Sequence, residues 1–227
     1  MSQPLVVAID GPAGAGKSTI SRRVAVRLGS VYIDTGAMYR AVALSALRTR
    51  TPFDDAAALE SLALQTRIAF GGADSRSVLL NGEDVTEAIR TPAVSEAASR
   101  VSSVPGVRRA MVAEQRNIAA ASPVVMEGRD IGTVVFPNAQ VKVYLDADPR
   151  VRAVRRAAEL QAKGLPADVD EIAKAIAERD HRDASREDSP MKPAADAVRL
   201  DTSGLNIDQV EQAILDIVAS RTGKESL

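Results

Sequence analysis

Residues 11–18 read Gly-Pro-Ala-Gly-Ala-Gly-Lys-Ser and fit the phosphate-binding pattern G-x-x-x-x-G-K-[ST]. Glycines let the chain curl so that successive backbone N–H groups point at one anion. Lys17 adds a positive charge near the outer phosphates, and the Ser18 hydroxyl is a ligand for Mg²⁺. The pattern therefore predicts a bound phosphate chain with a magnesium ion. The predicted binding residues are Gly11, Pro12, Ala13, Gly14, Ala15, Gly16, Lys17, Ser18 and Thr19.

Two further clusters place arginine where a strand ends and a helix begins. In residues 34–40, Thr35 is a plausible helix cap and Arg40 follows one and a half turns later. Two interpretations fit this cluster equally well. Either Arg40 contacts a phosphate, or the cluster is a capped helix whose arginine faces solvent. In residues 128–133, glycines bracket Arg129 and Asp130. The arginine could bind a phosphate with two hydrogen bonds and the aspartate a base or sugar. A structural ion pair is the alternative.

Residues 178–186 form the densest charge cluster of the chain. Helical spacing predicts that Arg179, Arg182, Asp183 and Arg186 share one face. That face could bind a polyphosphate, although a solvated, salt-bridged helix explains the pattern at least as well. His181, the only histidine, is expected at the surface, so hydrolase mechanisms that depend on a histidine are not favoured.

Composition narrows the function classes. The chain has 227 residues, 45% hydrophobic and 26% charged, as in globular proteins generally. The formal net charge of −1 does not favour nucleic-acid binding. Because there is no cysteine, disulfides, cysteine–zinc sites and cysteine nucleophiles are excluded. The first residues lack a signal-like pattern and no apolar run reaches membrane-spanning length, so we expect a cytoplasmic protein without a membrane partner.

The elements that position these residues alternate between strand and helix. Apolar runs predict strands at 5–9, 124–126, 141–145 and 197–200. Ile20, Val24 and Leu28 recur every four residues and predict a helix that ends at Gly29. Further helical patterns cover about 92–102, 105–121, 149–162, 168–183 and 206–220. This alternation predicts an α/β fold with a parallel sheet covered by helices on both faces. Residues 66–86 differ, because two short apolar runs, a Gly71-Gly72 turn and the hairpin signal Asn81-Gly82 predict an antiparallel piece.

Taken together, these blocks resemble the bacterial cytidylate kinase family over nearly the whole chain. The matching blocks are residues 9–19, 34–40, 128–137, 178–186, 189–190 and 195–197. The phosphate-binding pattern alone is shared by very many proteins, whereas the other blocks in this order are far more specific. Thr35 stands where serine is also common in the family, and Met191 where leucine is frequent; neither difference affects the expected activity.

The resemblance implies a P-loop NTPase fold. Its kinase core would comprise 1–65 and 104–227, with a helical lid at about 150–187 and a tip near Gly164-Pro166. An insert at 66–103 would bind the acceptor nucleotide. It also implies that the protein transfers the γ-phosphoryl group of ATP, with Mg²⁺, to CMP or dCMP. We expect it to act as a monomer.

The resemblance also implies residue roles. Catalytic roles fall to Lys17, Arg129 and Arg186. Arg40, Arg129 and Arg186 would bind the acceptor phosphate and the transferred group. Ser99, Arg108 and Asp130 match the cytosine-binding positions, and Arg179 and Asp183 the pentose-binding positions. Thr35 would contact the acceptor as well, and residues 202–205 would lie near the adenine.

Other functions stay open at this level. A related kinase could use UMP, dTMP, shikimate or gluconate as its acceptor. A regulatory GTPase is less consistent, because the chain has no Asn-Lys-x-Asp motif. A non-enzymatic nucleotide sensor would not need so many arginines around a second phosphate.

Overall fold

The computed structural model describes residues 4–71, 77–162 and 164–223. They form two units. Of these residues, the phosphate-loop unit comprises 5–29, 125–162 and 164–223, and the middle unit comprises Pro4, 30–71 and 77–124.

The elements follow one another along the chain. The strands are β1 (Val6–Asp10), β2 (Val31–Asp34), β3 (Ile68–Gly71), β4 (Ser77–Leu80), β5 (Glu83–Asp84), β6 (Val124–Gly128), β7 (Val141–Asp146) and β8 (Val198–Asp201). The α-helices are α1 (Lys17–Arg27), α2 (Thr35–Thr49), α3 (Ala56–Gln65), α4 (Pro92–Val101), α5 (Pro105–Ala119), α6 (Pro149–Gln161), α7 (Val169–Ala184) and α8 (Ile207–Thr222). A 3₁₀ turn covers Ala88–Arg90 and a π-helical turn covers Ile131–Val135.

Within the phosphate-loop unit the strands lie in the order β6-β1-β7-β8, and the pairs β1–β7 and β7–β8 are parallel. All residues of β1 and β6 are buried, as expected of strands covered on both faces. β8, at the edge, alternates between half-buried and exposed residues. The predicted parallel α/β sheet flanked by helices is therefore confirmed.

Helices α6 and α7 cover the segment predicted as a lid. Asp148 and Asp168 cap their first turns by accepting hydrogen bonds from backbone N–H groups. The two helices pack against each other. Gly164 lies between them with a φ of 69°, and Lys163 of the predicted tip lies outside the described residues.

In the middle unit, α2 packs against α4 and α3 packs against α5. The prediction that Thr35 caps α2 is wrong by one residue. The Asp34 side chain is the cap, since it accepts a hydrogen bond of 2.8 Å from the Ala37 N–H, and Thr35 is the buried first residue of the helix. Helix α3 was not predicted at all.

The antiparallel sheet of the middle unit has the order β3-β4-β5. Asn81 and Gly82 join β4 to β5 with φ values of 52° and 90°, the backbone conformation that the hairpin signal predicts. Gly72, of the predicted Gly71-Gly72 turn, lies outside the described residues, and the boundaries 66–103 of the predicted insert stay a prediction. Among the helices described, none combines the length and the apolar character needed to cross a membrane.

Candidate active site

The phosphate loop is built on glycine conformations. Gly11, Gly14 and Gly16 have φ values of 149°, 76° and 85°, which side chains rarely adopt. A Cβ on Gly11 would also lie 2.0 Å from the carbonyl oxygen of Leu145. Helix α1 then begins at Lys17 without a side-chain cap. This leaves its first backbone N–H groups for an anion.

Lys17 is buried beneath this loop, and its Nζ donates a 2.6 Å hydrogen bond to the Pro12 carbonyl. The pKa of the ammonium falls from 10.5 to about 7, because burial lowers it most and the positive charges of Arg129 and Arg179 lower it too, while Glu127 and Asp10 oppose the fall. The arginines and the lysine thus share one electrostatic environment. An anion placed among them would relieve their repulsion.

Asp10, at the end of β1, fixes the loop that carries Arg129 and Asp130. Its carboxylate accepts two hydrogen bonds of 2.8 Å from the N–H groups of Ile131 and Gly132. Burial raises the pKa of Asp10 to about 6, the two backbone hydrogen bonds oppose the rise, and Asp130 adds to it. Asp10 therefore acts on the site through the backbone of the π-helical turn.

The raised pKa of Asp10 predicts a pH-dependent stability. In the folded protein the Asp10 carboxyl keeps its proton up to a pH of about 6, whereas in the unfolded chain it loses the proton near pH 3.8. The contribution of Asp10 to stability is thus complete below that lower value and lost as the pH rises through 6. Relative to Asp10→Asn, the free energy of unfolding should fall by about 2 kcal/mol between pH 4 and 7.

Urea denaturation at several pH values measures this difference. Asp54→Asn, at an exposed position, is the control and should follow the wild-type curve. Parallel curves for the wild type and Asp10→Asn would contradict the assignment.

Arg129 and Arg186 meet at a shared carboxylate. Arg129 donates from Nε to Asp183 Oδ2 at 3.0 Å and from Nη1 to the Gly128 carbonyl at 3.1 Å. Arg186 pairs with the other oxygen of Asp183. Although burial opposes ionisation of Asp183, the charges of Arg129, Arg186 and Arg179 hold its pKa below the usual value. A buried carboxylate thus keeps the two guanidiniums in place.

The prediction that Arg179, Arg182, Asp183 and Arg186 share one face of α7 is wrong in part. Asp183 is buried and Arg179 half-buried, whereas Arg182 is exposed. The helix ends at Ala184, so Arg186 lies beyond it. Because the helix packs its Asp183 side inward, Arg182 falls on the solvent side.

A cavity of about 220 Å³ adjoins the phosphate loop. Its lining includes Gly16, Thr19, Arg155, Thr202 and Leu205. The guanidinium of Arg155 donates to the Thr202 hydroxyl at 3.0 Å and to its carbonyl at 2.6 Å. Segment 202–205 therefore lies beside the loop, where the resemblance expects the adenine.

The middle unit positions the remaining predicted residues. Arg40 lies on α2, six residues after the N-cap Asp34, and its Nη2 donates a 2.8 Å hydrogen bond to Asp34 Oδ2. Burial acts against ionisation of Asp34, but Arg40, the Ala37 N–H and Arg90 together lower its pKa. Asp34 thus caps the helix and orients Arg40.

Arg108 is buried near the start of α5. Its Nη1 donates to the Ser102 carbonyl at 3.2 Å, and its guanidinium lies 5.6 Å from the centre of the Tyr39 ring. Ser99 is half-buried on α4, and its carbonyl accepts a hydrogen bond from the Ser102 hydroxyl. Arg108 is therefore held by a carbonyl and an aromatic face.

Sequence analysis missed Arg152, Arg155 and Asp180, which also contact the phosphate loop or its cavity. One signal was present for Asp180: it lies four residues after Ile176, so both occupy one face of α7. Ile176 packs against Ala13 of the loop.

Within 4–71, 77–162 and 164–223, no group of three or more carboxylates and histidines is placed to hold a metal ion. Ser18, in the first turn of α1, is exposed. One hydroxyl suits a magnesium ion whose other ligands are phosphate oxygens and water. The residues present therefore fit Mg²⁺ delivered with a nucleotide.

Comparison with known proteins gives concordant results. A family model described as cytidylate kinase matches residues 7–220. The chain is 56% identical to a cytidylate kinase of Solibacter usitatus, covering 96% of this chain and 93% of that protein. It is 50% identical to a cytidylate kinase of Syntrophotalea carbinolica, covering 97% and 94%. A solved gluconokinase from Sinorhizobium meliloti aligns over 98% of this chain and 97% of its own, at a TM-score of 0.50 and 12% identity, a likeness of fold alone.

Proposed function

The chain belongs to the cytidylate kinase family, and from that premise we propose how its residues transfer the γ-phosphoryl group of ATP to CMP or dCMP. The products are ADP and CDP or dCDP. The observation that carries the residue-level proposal is the cluster of Lys17, Arg129 and Arg179, whose charges act on one another beside the phosphate loop.

The donor half of the site consists of residues 11–19. Backbone N–H groups of the loop and of the first turn of α1 bind the phosphates of ATP. Lys17 neutralises the outer phosphates, and its lowered pKa rises again when they bind. Ser18 contributes a hydroxyl to Mg²⁺, which supplies charge neutralisation of the phosphates when it is bound.

The transfer step needs positive charge more than a base. A nucleoside monophosphate has a second pKa of about 6, so its oxygen is already a nucleophile at neutral pH. Catalysis then depends on alignment and on cations that stabilise the charge of the transferred group. Lys17, Arg129 and Arg186 perform this role, and Asp183 orients the two arginines.

Acceptor recognition uses hydrogen bonds and ion pairs. Arg40 binds the acceptor phosphate, with Thr35 at the start of the same helix. Asp130 accepts a hydrogen bond from the cytosine amine, and Ser99 and Arg108 contribute further contacts to the base. Arg179 and Asp183 bind the pentose. The burial of Asp130 and Arg108 supports selectivity, because a wrong base leaves buried polar groups unpaired.

We propose a monomer that works in the cytoplasm, where a chain without cysteine is independent of thiol redox state. Sedimentation velocity at micromolar concentration measures the oligomeric state, and a concentration-dependent dimer would contradict the proposal.

A coupled assay of ADP release tests the activity. With ATP and magnesium, CMP and dCMP should stimulate release well above UMP, dTMP, AMP, shikimate and gluconate. If neither cytidine nucleotide stimulates release, the proposed reaction is wrong.

Asp130→Ala tests base recognition. We expect kcat/KM for CMP to fall by about 10²-fold, because the cytosine amine loses its acceptor. The Kd for ATP, measured by calorimetry without acceptor, should stay within about twofold. The ratio of CMP to UMP activity should fall too, and it is the sharper readout because a folding defect does not alter it. Unchanged CMP kinetics would remove Asp130 from the base site.

A further inference from the structure

Both backbone polar groups of Ala13, the third residue of the phosphate loop, are bonded by side chains of α6 and α7. The Ala13 N–H donates to Asp180 Oδ1 at 2.9 Å, and the Ala13 carbonyl accepts from Arg152 Nη1 at 2.7 Å. The same Nη1 bonds Asp180 Oδ2, which closes a ring of three residues. We name this ring of Ala13, Arg152 and Asp180 the Ala13 clamp.

The clamp is largely shielded from water. The side chains of Arg152 and Asp180 are only 8% and 15% exposed, so their ion pair is strengthened by the low local dielectric. Arg152 is further fixed by a 3.0 Å bond from Nε to the Ala147 carbonyl. An apolar cluster seals the contact; it consists of Ala13, Ala153 and Ile176, with Val169, Ile172 and Ala173.

The clamp determines which way two consecutive peptide groups point. In a trans peptide, the C=O of one residue and the N–H of the next point in opposite directions. Asp180 holds the Ala13 N–H, so the Pro12 carbonyl points the opposite way, where it accepts the 2.6 Å bond from Lys17 Nζ. Arg152 holds the Ala13 carbonyl, so the N–H of Gly14 points away from Arg152.

Helix α7 links the clamp to the arginine cluster. Asp180 and Asp183 lie three residues apart, less than one turn of helix. Asp180 bonds the loop, and Asp183 bonds Arg129 and Arg186. The two carboxylates therefore have separate targets: Asp180 fixes the loop, and Asp183 fixes the two arginines.

We infer that Arg152 and Asp180 are positioning residues for the ATP-binding loop. In this role they act through the peptide groups of Ala13 and not through a contact with phosphate or acceptor. They orient the Pro12 carbonyl toward Lys17 and the Gly14 N–H toward the phosphate chain. The inference rests on the proposed role of the loop in ATP binding and adds two residues that this role does not include.

Steady-state kinetics of Asp180→Ala and Arg152→Met test the clamp. We expect kcat/KM for ATP to fall by about 10²-fold in each, because a misplaced loop loses alignment, while KM for CMP stays within about twofold. The double variant should lose little more than either single variant, since both remove the same ring. Asp180→Asn keeps an oxygen for the Ala13 N–H and should recover part of the loss.

The chain offers a matched control. Arg150 and Asp170 also pair between α6 and α7, at 3.8 Å, but both side chains are 79% exposed. Arg150→Met and Asp170→Asn remove the same charges from the same helices and should leave both KM values unchanged. Equal rises of both KM values in Asp180→Ala, additive losses in the double variant, or identical behaviour of Asp180→Asn and Asp180→Ala would overturn the inference.

Binding of ATP alone separates this inference from the proposed function. Calorimetry without acceptor should show weaker ATP binding in Asp180→Ala and Arg152→Met than in the wild type and the control. That result supports the clamp whether or not CMP is the acceptor. If Asp180→Ala does not fold, Asp180→Asn and Arg152→Lys provide the same comparison, and ATP affinities equal to wild type in both overturn it.

Discussion

Replacing Lys17 with methionine is expected to lower kcat by about 10³-fold, the largest single loss that we predict in the donor half of the site. Methionine preserves most of the buried volume and removes the charge. The ammonium is already bonded to the Pro12 carbonyl and lies among Arg129, Arg179 and Glu127, so no other side chain can replace it without rearrangement. Single-turnover measurement of CDP formation isolates this step from product release.

Proton uptake gives an independent readout of the same lysine. Burial and the neighbouring arginines lower its pKa to about 7 in the free protein, and bound phosphate should raise it. ATP binding near neutral pH should therefore take up a proton, which calorimetry detects as a heat that varies with the buffer. Lys17→Met should abolish the uptake. Lys174→Met, at an exposed lysine, should retain both uptake and activity, and a loss of activity as large as that of Lys17→Met would count against the role.

The local elements around this lysine were predictable because their signals are local. An apolar run, a glycine pattern and a helical stripe occupy 5–29 and predict a strand, a loop and a helix in that order. Helix α3 was missed because only Leu59 and Ala63 are buried in it. Two buried positions do not form a helical pattern that is clear in the sequence. The N-cap of α2 was placed one residue late, since Asp34 and Thr35 are both good capping types and only the backbone conformation decides between them.

The site was less predictable because its contacts join distant residues. The bond between Asp180 and the Ala13 N–H spans 167 positions, and its donor is a backbone N–H, which leaves no mark in the sequence. The charge cluster of α7 was visible, yet spacing alone could not distinguish buried Asp183 from exposed Arg182. The resemblance supplied the roles of Arg129 and Arg186, whereas the structure supplies the carboxylate that orients them.

Arg129→Ala should lower kcat by about 10³-fold, at the low end of the effect of arginines that stabilise a transferred phosphoryl group. Two of the five N–H donors of Arg129 are used by Asp183 and the Gly128 carbonyl. The others remain for phosphate oxygens, so one guanidinium can be oriented and catalytic at once. Arg129→Lys keeps the charge but loses the planar set of N–H donors. Its kcat should therefore stay about 10²-fold below that of the wild type.

Arg182→Ala is the matched control for Arg129→Ala, because this exposed arginine lies next to Asp183 on the same helix. Its kcat should stay within about twofold of wild type, since the charge of an exposed side chain is solvated and its field is weakened by water. Asp183→Asn should lower kcat without removing any cation, because neutralising a buried carboxylate leaves Arg129 and Arg186 to repel each other. If Asp183→Asn retained wild-type kcat, the arginines would not depend on that carboxylate. If Arg129→Ala and Arg182→Ala lost equal activity, the effect would come from net charge and not from the oriented N–H donors.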